Sequence, residues 1–383
     1  MAKLYGSGTL FHGNGSLDEL KNIDCKKAVI VTGNGSTTKN GSLKRTQSIL
    51  TEKGVEFKVF EGVEPDPSID TVRRGAAFIA EFQPDWIIGL GGTSAIDAAK
   101  AMWVIYEHPD ISFEQMITPF AIPSLRTKAR FAAIPSTSGT GTETTSLAVI
   151  TDREKGVKYP LASHDLQPDI AIVDGDLCKS MPADITANTG MDALTHAIEA
   201  YTSNVDDNYA DAFAKGSIQL IFSNLKKAVE YPEDGNVRQN MHDAAALAGY
   251  AFTNAWLGIV HSMAHQMGGV FGIPHGRANA LALPNVMRYN SKVTNRFEDL
   301  AKLIGLSTTC EFIKAVEDLK KETNVPASIR EYGIEKEVWM KEVHRMAENA
   351  FKDVCTSFNP RKTSVEDIEK LYIALYEGEK IDF

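Results

Sequence analysis

Asp192, His196, His261 and His275 are the side chains of this 383-residue sequence whose types and spacing suit chemistry in concert. Asp192 and His196 stand four apart in Met-Asp-Ala-Leu-Thr-His (191–196), so on a helix they lie one turn above each other and point the same way. Such a pair holds two corners of a metal site. His261, which opens His-Ser-Met-Ala-His (261–265), and His275, in Ile-Pro-His-Gly (273–276), could supply two more, because Gly268, Gly269, Gly272 and Pro274 break the run and let a second helix fold back on the first. One carboxylate and three imidazoles without a thiolate suit a divalent first-row metal, iron or zinc, and not calcium or a zinc finger. With no further ligand in view, one position is left for a substrate oxygen. A lone Asp-x-x-x-His pair is ordinarily a solvated helix face or a satisfied core histidine. Here five of the nine histidines fall between 196 and 275, in the least charged part of the chain.

These residues belong to the second of two differently patterned halves. In the first, short β-branched runs alternate with helical periods: strands are expected at 27–32, 55–60, 86–90, 131–135 and 169–174, with a hairpin joining 147–152 to 157–162. Helices are expected at 42–53 and after Ser68, which reads as an N-cap. This βαβ alternation implies a parallel sheet with helices on both faces. From Pro182 onward strand signals nearly vanish, and helices are expected at 184–201, 208–228, 236–268, 276–288, 292–304, 308–322, 334–350 and 364–377. The fold class is therefore α/β plus all-α, with the boundary near 175–182 and domains at 1–180 and 181–383.

Two loops of the first half have the composition of ligand sites. The strand at 86–90 runs into Gly91-Gly92-Thr93-Ser94, where glycines allow close backbone approach and the amides opening the next helix favour an anion such as a pyrophosphate. Without a ligand, the same residues read as a tight turn with Ser94 and Asp97 as a capping box. The strand at 131–135 feeds Ser136-Thr137-Ser138-Gly139-Thr140-Gly141-Thr142-Glu143-Thr144-Thr145, a hydroxyl-rich loop at the carboxyl end of a parallel strand, where open α/β sheets bind ligands. Lys158, ordinarily a surface charge, becomes in that setting a candidate to reach ribose or phosphate.

Composition narrows the function classes. A net charge of −10 with no basic block disfavours nucleic acid or an anionic membrane surface as partner. No charged leader precedes an apolar run, and no uncharged apolar stretch approaches the ~20 residues that span a bilayer. Cys25, Cys178, Cys310 and Cys355 are scattered and form no C-x-x-C motif, which indicates neither a disulfide framework nor a cysteine-rich zinc site. A cytoplasmic protein is expected.

Six motifs then occur in order: Gly-Gly-Thr-Ser-x-x-Asp-x-x-Lys at 91–100, Ile-Pro-Ser-Thr-Ser-Gly-Thr at 134–140, Gly-Met-Asp-Ala-Leu-Thr-His-Ala-Ile-Glu at 190–199, His-Ser-Met-Ala-His at 261–265, Pro-His-Gly at 274–276 and Asn-Pro-Arg at 359–361. Together they resemble the iron-containing (group III, metal-dependent) alcohol dehydrogenases, in particular the bacterial branch of butanol, propanediol and lactaldehyde reductases. The resemblance implies a Rossmann-like dinucleotide-binding α/β domain followed by an all-helical domain, with the metal in the cleft between them. Carried over position by position, Asp192, His196, His261 and His275 match the metal ligands, and His265, one turn beyond a ligand, is a candidate proton relay. Gly91, Gly92, Thr93 and Ser94 match the pyrophosphate loop, and Ser136, Thr137, Thr140, Thr145, Lys158 and Leu177 match positions lining the cofactor cleft. A homo-oligomer, dimer or higher, is a family expectation.

The sequence departs from the family pattern twice. Thr93 stands where members often have a third glycine, narrowing the approach but offering a hydroxyl to phosphate. Gly33 stands where NAD-preferring relatives have an aspartate that bonds the ribose and repels a 2′-phosphate. With Ser36 and Lys39 following, small groups, hydroxyls and one cation face that place, which favours NADP(H), with NAD(H) as the alternative. The activity this implies is reversible hydride transfer between the nicotinamide and a small aldehyde or primary alcohol at a divalent iron or zinc, with Phe252, Trp256, Cys355 and Phe358 as candidate pocket residues. A small anionic aldehyde, sulfonated or hydroxylated, is a narrower version of this activity. A sugar-phosphate cyclase shares the architecture but needs a basic cluster to grip phosphate, and between 181 and 290 few cations occur beyond Lys215, Lys226, Lys227, Arg238, Arg277 and Arg288. A non-catalytic metal-stabilised scaffold would leave the glycine and hydroxyl loops without a purpose.

Overall fold

Strand Trp86–Gly91 is buried at every residue, as a strand must be when helices cover both faces of its sheet. It lies inside a six-stranded, all-parallel sheet in a computed structural model that describes residues 3–155 and 157–383. In chain order the strands are β1 (Thr9–His12), β2 (Lys27–Gly33), β3 (Glu56–Val63), β4 (Trp86–Gly91), β5 (Arg130–Pro135), β6 (Leu147–Asp152), β7 (Val157–Ala162) and β8 (Ile170–Val173). The sheet runs β1-β8-β5-β4-β2-β3, and β6 and β7 form the separate antiparallel hairpin. Side chains alternate across it: Val29, Val31, Ile87, Phe131 and Ala133 enter one apolar layer with Trp103, while Ala28, Ile30, Ile88, Ala132 and Ile134 enter the other with Leu17 and Leu20. Because β2 pairs with β3 on one side and β4 on the other, the side on which successive strands are added reverses there, and the ends of β2 and β4 flank the switch point of the sheet. Strand β1 was not among the expected strands. Four residues carry no usable period, and the strand exists through its parallel pairing with the distant β8.

Helices α1 (Ser36–Lys39), α2 (Ser42–Glu52), α3 (Ile69–Phe82), α4 (Thr93–Glu107) and α5 (Phe113–Ile117) complete this part, and Ser68 caps α3 by accepting from Thr71 N. The remaining helices are α6 (Ala183–Thr202), α7 (Asn208–Glu230), α8 (Gly235–Ala255), α9 (Ile259–Phe271), α10 (His275–Asn290), α11 (Arg296–Leu303), α12 (Thr309–Glu322), α13 (Ile329–Tyr332), α14 (Lys336–Lys352) and α15 (Val365–Glu377). The single helix expected over 236–268 is two helices. Trp256 breaks it with φ +64°, and at Gly258 any Cβ would lie 2.7 Å from Glu199 Oε1. No helix among the described residues is long and apolar enough to cross a membrane.

The chain groups into two compact units, Met1–Ser180 with Glu233–Ala246, and Met181–Pro232 with Leu247–Phe383. The segment 233–246 therefore groups with the sheet and not with the helical residues around it in sequence. Gln239 explains this, since its Oε1 accepts from Gly175 N at 2.7 Å and its Nε2 donates to Val173 O at 3.0 Å. Nearby, His242 Nδ1 lies 3.0 Å from Ser138 Oγ. Burial pushes His242 from its ordinary 6.5 down to about 4. As pH falls from 6.5 to 4 the unfolded chain takes up a proton that the folded chain refuses, so stability is lost over that window. His242→Asn, which keeps a polar atom near Nδ1, is expected to flatten the fall of melting temperature over that acid window relative to wild type; parallel profiles would refute the assignment.

Candidate metal centre and cofactor loops

Three helices of the second unit bring the four expected ligands together. Asp192 and His196 project from one face of α6, His261 lies in the first turn of α9, and His275 opens α10 behind its N-cap Pro274. Each offers a ligand atom, and the four atoms all lie within 4.8 Å of one another. Asp192, His196 and His261 are buried, whereas the His275 side chain is 37% exposed, so one edge of the cluster is accessible. Gly276 sets the approach of α10 to α6, because a Cβ there would lie 2.2 Å from Asn188 O and 3.0 Å from Asp192 Cβ. Burial pushes His196 down and His261 well below the usual imidazole range, and the neighbouring imidazoles add to the effect on His261. Both rings are therefore neutral and carry a free lone pair at neutral pH.

Two residues without ligand atoms in this set complete it. Glu199, one turn beyond His196, accepts from Val260 N at 2.7 Å through Oε1 and from His261 Nδ1 at 2.6 Å through Oε2, which leaves His261 Nε2 as a bare acceptor. Asn279 Nδ2 lies 2.7 Å from Asp192 Oδ1, 3.1 Å from His261 Nε2 and 3.2 Å from His275 Nε2. Its amide nitrogen thus lies against atoms of three of the four candidate ligands, while His196 Nδ1 is buried with no partner. A surplus of lone pairs around one point, supplied by a carboxylate and neutral imidazoles, fits a divalent iron or zinc ion. The sequence held a signal for both residues: Glu199 is i+3 from His196 and Asn279 is i+4 from His275.

His265 is not one of the clustered ligands. Its ring stacks on His275 with centroids 5.5 Å apart, and its Nδ1 bonds Asp353 Oδ2 at 2.8 Å. No spacing in the sequence pointed to Asp353. Of the candidate pocket residues, Phe252 stacks on His196 at 4.6 Å, Trp256 and Phe358 stack on each other at 4.7 Å, and Cys355 is buried in the 3-10 turn Val354–Phe358. Asn359 of the Asn-Pro-Arg motif exchanges amide hydrogen bonds with Asn290 at 2.8 and 2.9 Å, and Arg361 donates to Tyr289 O and Phe383 O. That motif is scaffold.

In the first unit, Gly33 and Gly91 end β2 and β4 side by side at the switch point, where Thr32 is in register with Leu90. Gly91 needs its φ of +142°, and its Cβ would meet Ala95 at 3.1 Å. Gly92 is the N-cap of α4 and no side chain caps it, so Ser94 and Asp97 do not form a capping box. Thr93 Oγ1 instead lies 2.7 Å from Thr140 Oγ1, joining the glycine loop to the hydroxyl loop, and Ser136 N donates to Gly91 O at 2.8 Å. Thr137 lies beside Gly92, and the buried Thr145 hydroxyl turns back to Thr142 O. Lys158 reaches the same place: it pairs with Asp66 Oδ1 at 2.6 Å, and Asp66 N donates to Ser94 Oγ at 3.3 Å. Ser36 and Lys39 are exposed on α1, just past Gly33. Leu177 packs in the apolar layer, and its carbonyl accepts from Asn40 Nδ2.

Asp97 and Lys100, for which the sequence suggested no ligand role, hold the hydroxyl loop. The buried Lys100 ammonium donates to Thr142 O, Thr145 O and Leu147 O at 2.7, 3.0 and 2.9 Å, and Asp97 accepts from Thr142 Oγ1 and Val149 N at 2.7 and 2.9 Å. Burying an ammonium is costly unless its donors are satisfied. Lys100, pushed by burial down to about 8, therefore fixes the shape of the loop.

Comparison with known proteins agrees with this arrangement. Residues 7–175 match the family model described as iron-containing alcohol dehydrogenase, and residues 186–376 match the model for the C-terminal part of the Fe-containing alcohol dehydrogenase family. The chain is 46% identical over 381 residues to an NADPH-dependent butanol dehydrogenase of Clostridium saccharobutylicum, covering 98% of each chain. It is 37% identical to a 1-propanol dehydrogenase of Citrobacter freundii, covering 94% of this chain and 96% of the other. A crystal structure of a 1,3-propanediol oxidoreductase superposes with a TM-score of 0.92 at 35% identity, over 98% of this chain and 100% of that one. The switch-point glycines, the Asp-His₃ cluster and these matches over nearly the whole length agree, and the chain belongs to the iron-containing alcohol dehydrogenase family.

Proposed function

We propose that this protein is a reductase of small aldehydes, reversible as a primary-alcohol dehydrogenase, that uses NADPH in preference to NADH. The convergence of Asp192, His196, His261 and His275 carries the reading. Those four residues would hold a divalent iron or zinc, which supplies a Lewis acid for the substrate oxygen, while the nicotinamide supplies the hydride chemistry. Gly91, Gly92, Thr93 and Ser94 receive the pyrophosphate at the start of α4, and Ser136, Thr137, Thr140, Thr145, Lys158 and Leu177 complete the cofactor's surroundings. Gly33 brings no carboxylate to the ribose, and Ser36 and Lys39 offer a hydroxyl and a cation to a 2′-phosphate. The name of the butanol dehydrogenase relative, NADPH-dependent, supports that preference.

His265 moves the proton in this reading. Asp353 holds its Nδ1, which leaves Nε2 to exchange a proton with substrate or water at the accessible edge of the cluster. Phe252 keeps the His196 ring in place from behind. The substrate is small and lacks a phosphate, because few cations occur around the ligand helices and three of them are already engaged: Lys226 with Glu322, Arg288 with Glu317 and Arg277 with Asn188. We further infer a cytoplasmic enzyme, supported by four free cysteines, and a homo-oligomer, carried over from the family resemblance alone.

The test is reduction of short aldehydes by NADPH and by NADH, on protein loaded with iron or zinc and on the same protein after chelation. Metal-dependent turnover with an NADPH to NADH ratio in kcat/KM of about tenfold or more is expected, tenfold being the effect of a single charged contact. Equal use of the two cofactors would sink the Gly33 argument. Turnover that survives full chelation would sink the role of the metal.

A further inference from the structure

The Asn279 amide occupies a place that the Lewis-acid reading leaves unexplained. Its Nδ2 is within 3.2 Å of three of the four candidate ligand atoms, Asp192 Oδ1 nearest at 2.7 Å. Its own Oδ1 is buried with no hydrogen-bond partner. An asparagine placed only to tie two helices would use both ends of its amide, since an unmet buried acceptor is costly. Here one end is unmet and the other is crowded against three candidate ligands at once. Glu199 sharpens the arrangement, because by accepting from His261 Nδ1 it turns the bare Nε2 of that ring towards Asn279. A carboxylate and imidazole lone pairs gathered this closely repel one another unless something positive lies among them. The amide hydrogens carry that partial positive charge.

We propose that Asn279 is a placeholder, whose amide hydrogens hold the ligand set assembled while no metal is bound and give up those contacts when a cation takes the lone pairs. The inference rests on the four-ligand reading and assigns Asn279 a positioning role, with no contact to substrate. It has a thermodynamic signature. Asn279 contributes more to the metal-free protein than to the loaded one, so its removal must enlarge the stabilisation that metal gives and tighten metal binding by the corresponding factor. A residue that merely packs between helices lowers both states together. One that orients Asp192 for the bound metal does the reverse.

The experiment compares full-length wild type, Asn279→Asp and Asn279→Ala, each stripped and then reloaded with zinc. Melting temperatures are read in both states, and zinc affinity is read by competition with a chromophoric chelator. Asn279→Asp exchanges the donor for an anion 2.7 Å from Asp192 Oδ1, so the stripped protein should lose on the order of 5 °C or more. Zinc should restore most of that loss and bind on the order of tenfold tighter than to wild type, since an anion replaces a neutral donor. Asn279→Ala should move the same way by less, and it carries the test if the aspartate variant does not fold when stripped. A zinc-induced rise that is unchanged or smaller in both variants overturns the proposal. Wild type that takes up no zinc would instead sink the ligand reading itself, which keeps the two failures apart.

Discussion

Asp192→Ala is expected to abolish metal retention and to lower kcat/KM for aldehyde reduction by about 10³-fold or more, the equivalent of the several kcal/mol that a Lewis acid contributes. Asp192 is the only anion among the four clustered groups, and it is buried, so its loss removes the charge that favours a divalent ion over water in that position. NADPH affinity should stay within about twofold of wild type, because none of the residues assigned to the pyrophosphate and ribose is a metal ligand. Metal content after gel filtration, kcat/KM and cofactor binding by fluorescence check the three parts separately. A variant that keeps one equivalent of metal, or turns over within tenfold of wild type, would contradict the ligand assignment.

Gly276→Ala tests the backbone geometry beneath the ligands. The added Cβ would lie 2.2 Å from Asn188 O, a helical carbonyl that cannot move alone, so α10 must shift away from α6. Stability should fall by about 1–3 kcal/mol or more, as for other overpacked contacts. Because the shift separates His275 from Asp192 and His196, zinc affinity should fall by roughly tenfold or more. Gly269→Ala is the matched control: it lies in α9 with nothing within 4 Å of its Cβ, and replacing a helical glycine there should stabilise by about 0.4–1 kcal/mol. If the two variants melt alike and bind zinc alike, close approach at Gly276 is not what positions the ligands.

Much of the scaffold was legible because its signals are local. The short β-branched apolar run at 27–32 placed β2, and similar runs placed β3, β4, β5, β8 and the β6–β7 hairpin. The helices of the second half other than the four-residue α13 followed from their period, within a few residues at each end except for 292–304, which begins only at Arg296. The break between α8 and α9 was not legible. Trp256 has no turn preference, and Gly258 is needed because the distant Glu199 carboxylate and Asn359 amide come within reach of it. Likewise the residues 233–246 have an ordinary helical pattern, and their tertiary bonds, those of Gln239 and His242 among them, reveal which unit they join.

For the site, the sequence by itself determined the ligand types, the one-turn spacing of Asp192 and His196, and the glycine and hydroxyl loops at strand ends, because side-chain direction repeats with helix and strand period. Tertiary structure decided that His261 and His275, candidates in the sequence, come within reach of that pair, that Glu199 bonds His261 Nδ1 while Asn279 lies against Nε2 of His261 and of His275, that Asp353 holds His265, and that Asp97 and Lys100 brace the hydroxyl loop. The physical reason is distance along the chain. Periodicity specifies which face of an element is turned inward, but which other element meets that face depends on packing, on where a glycine lets two helices touch, and on which buried polar atoms can find partners there.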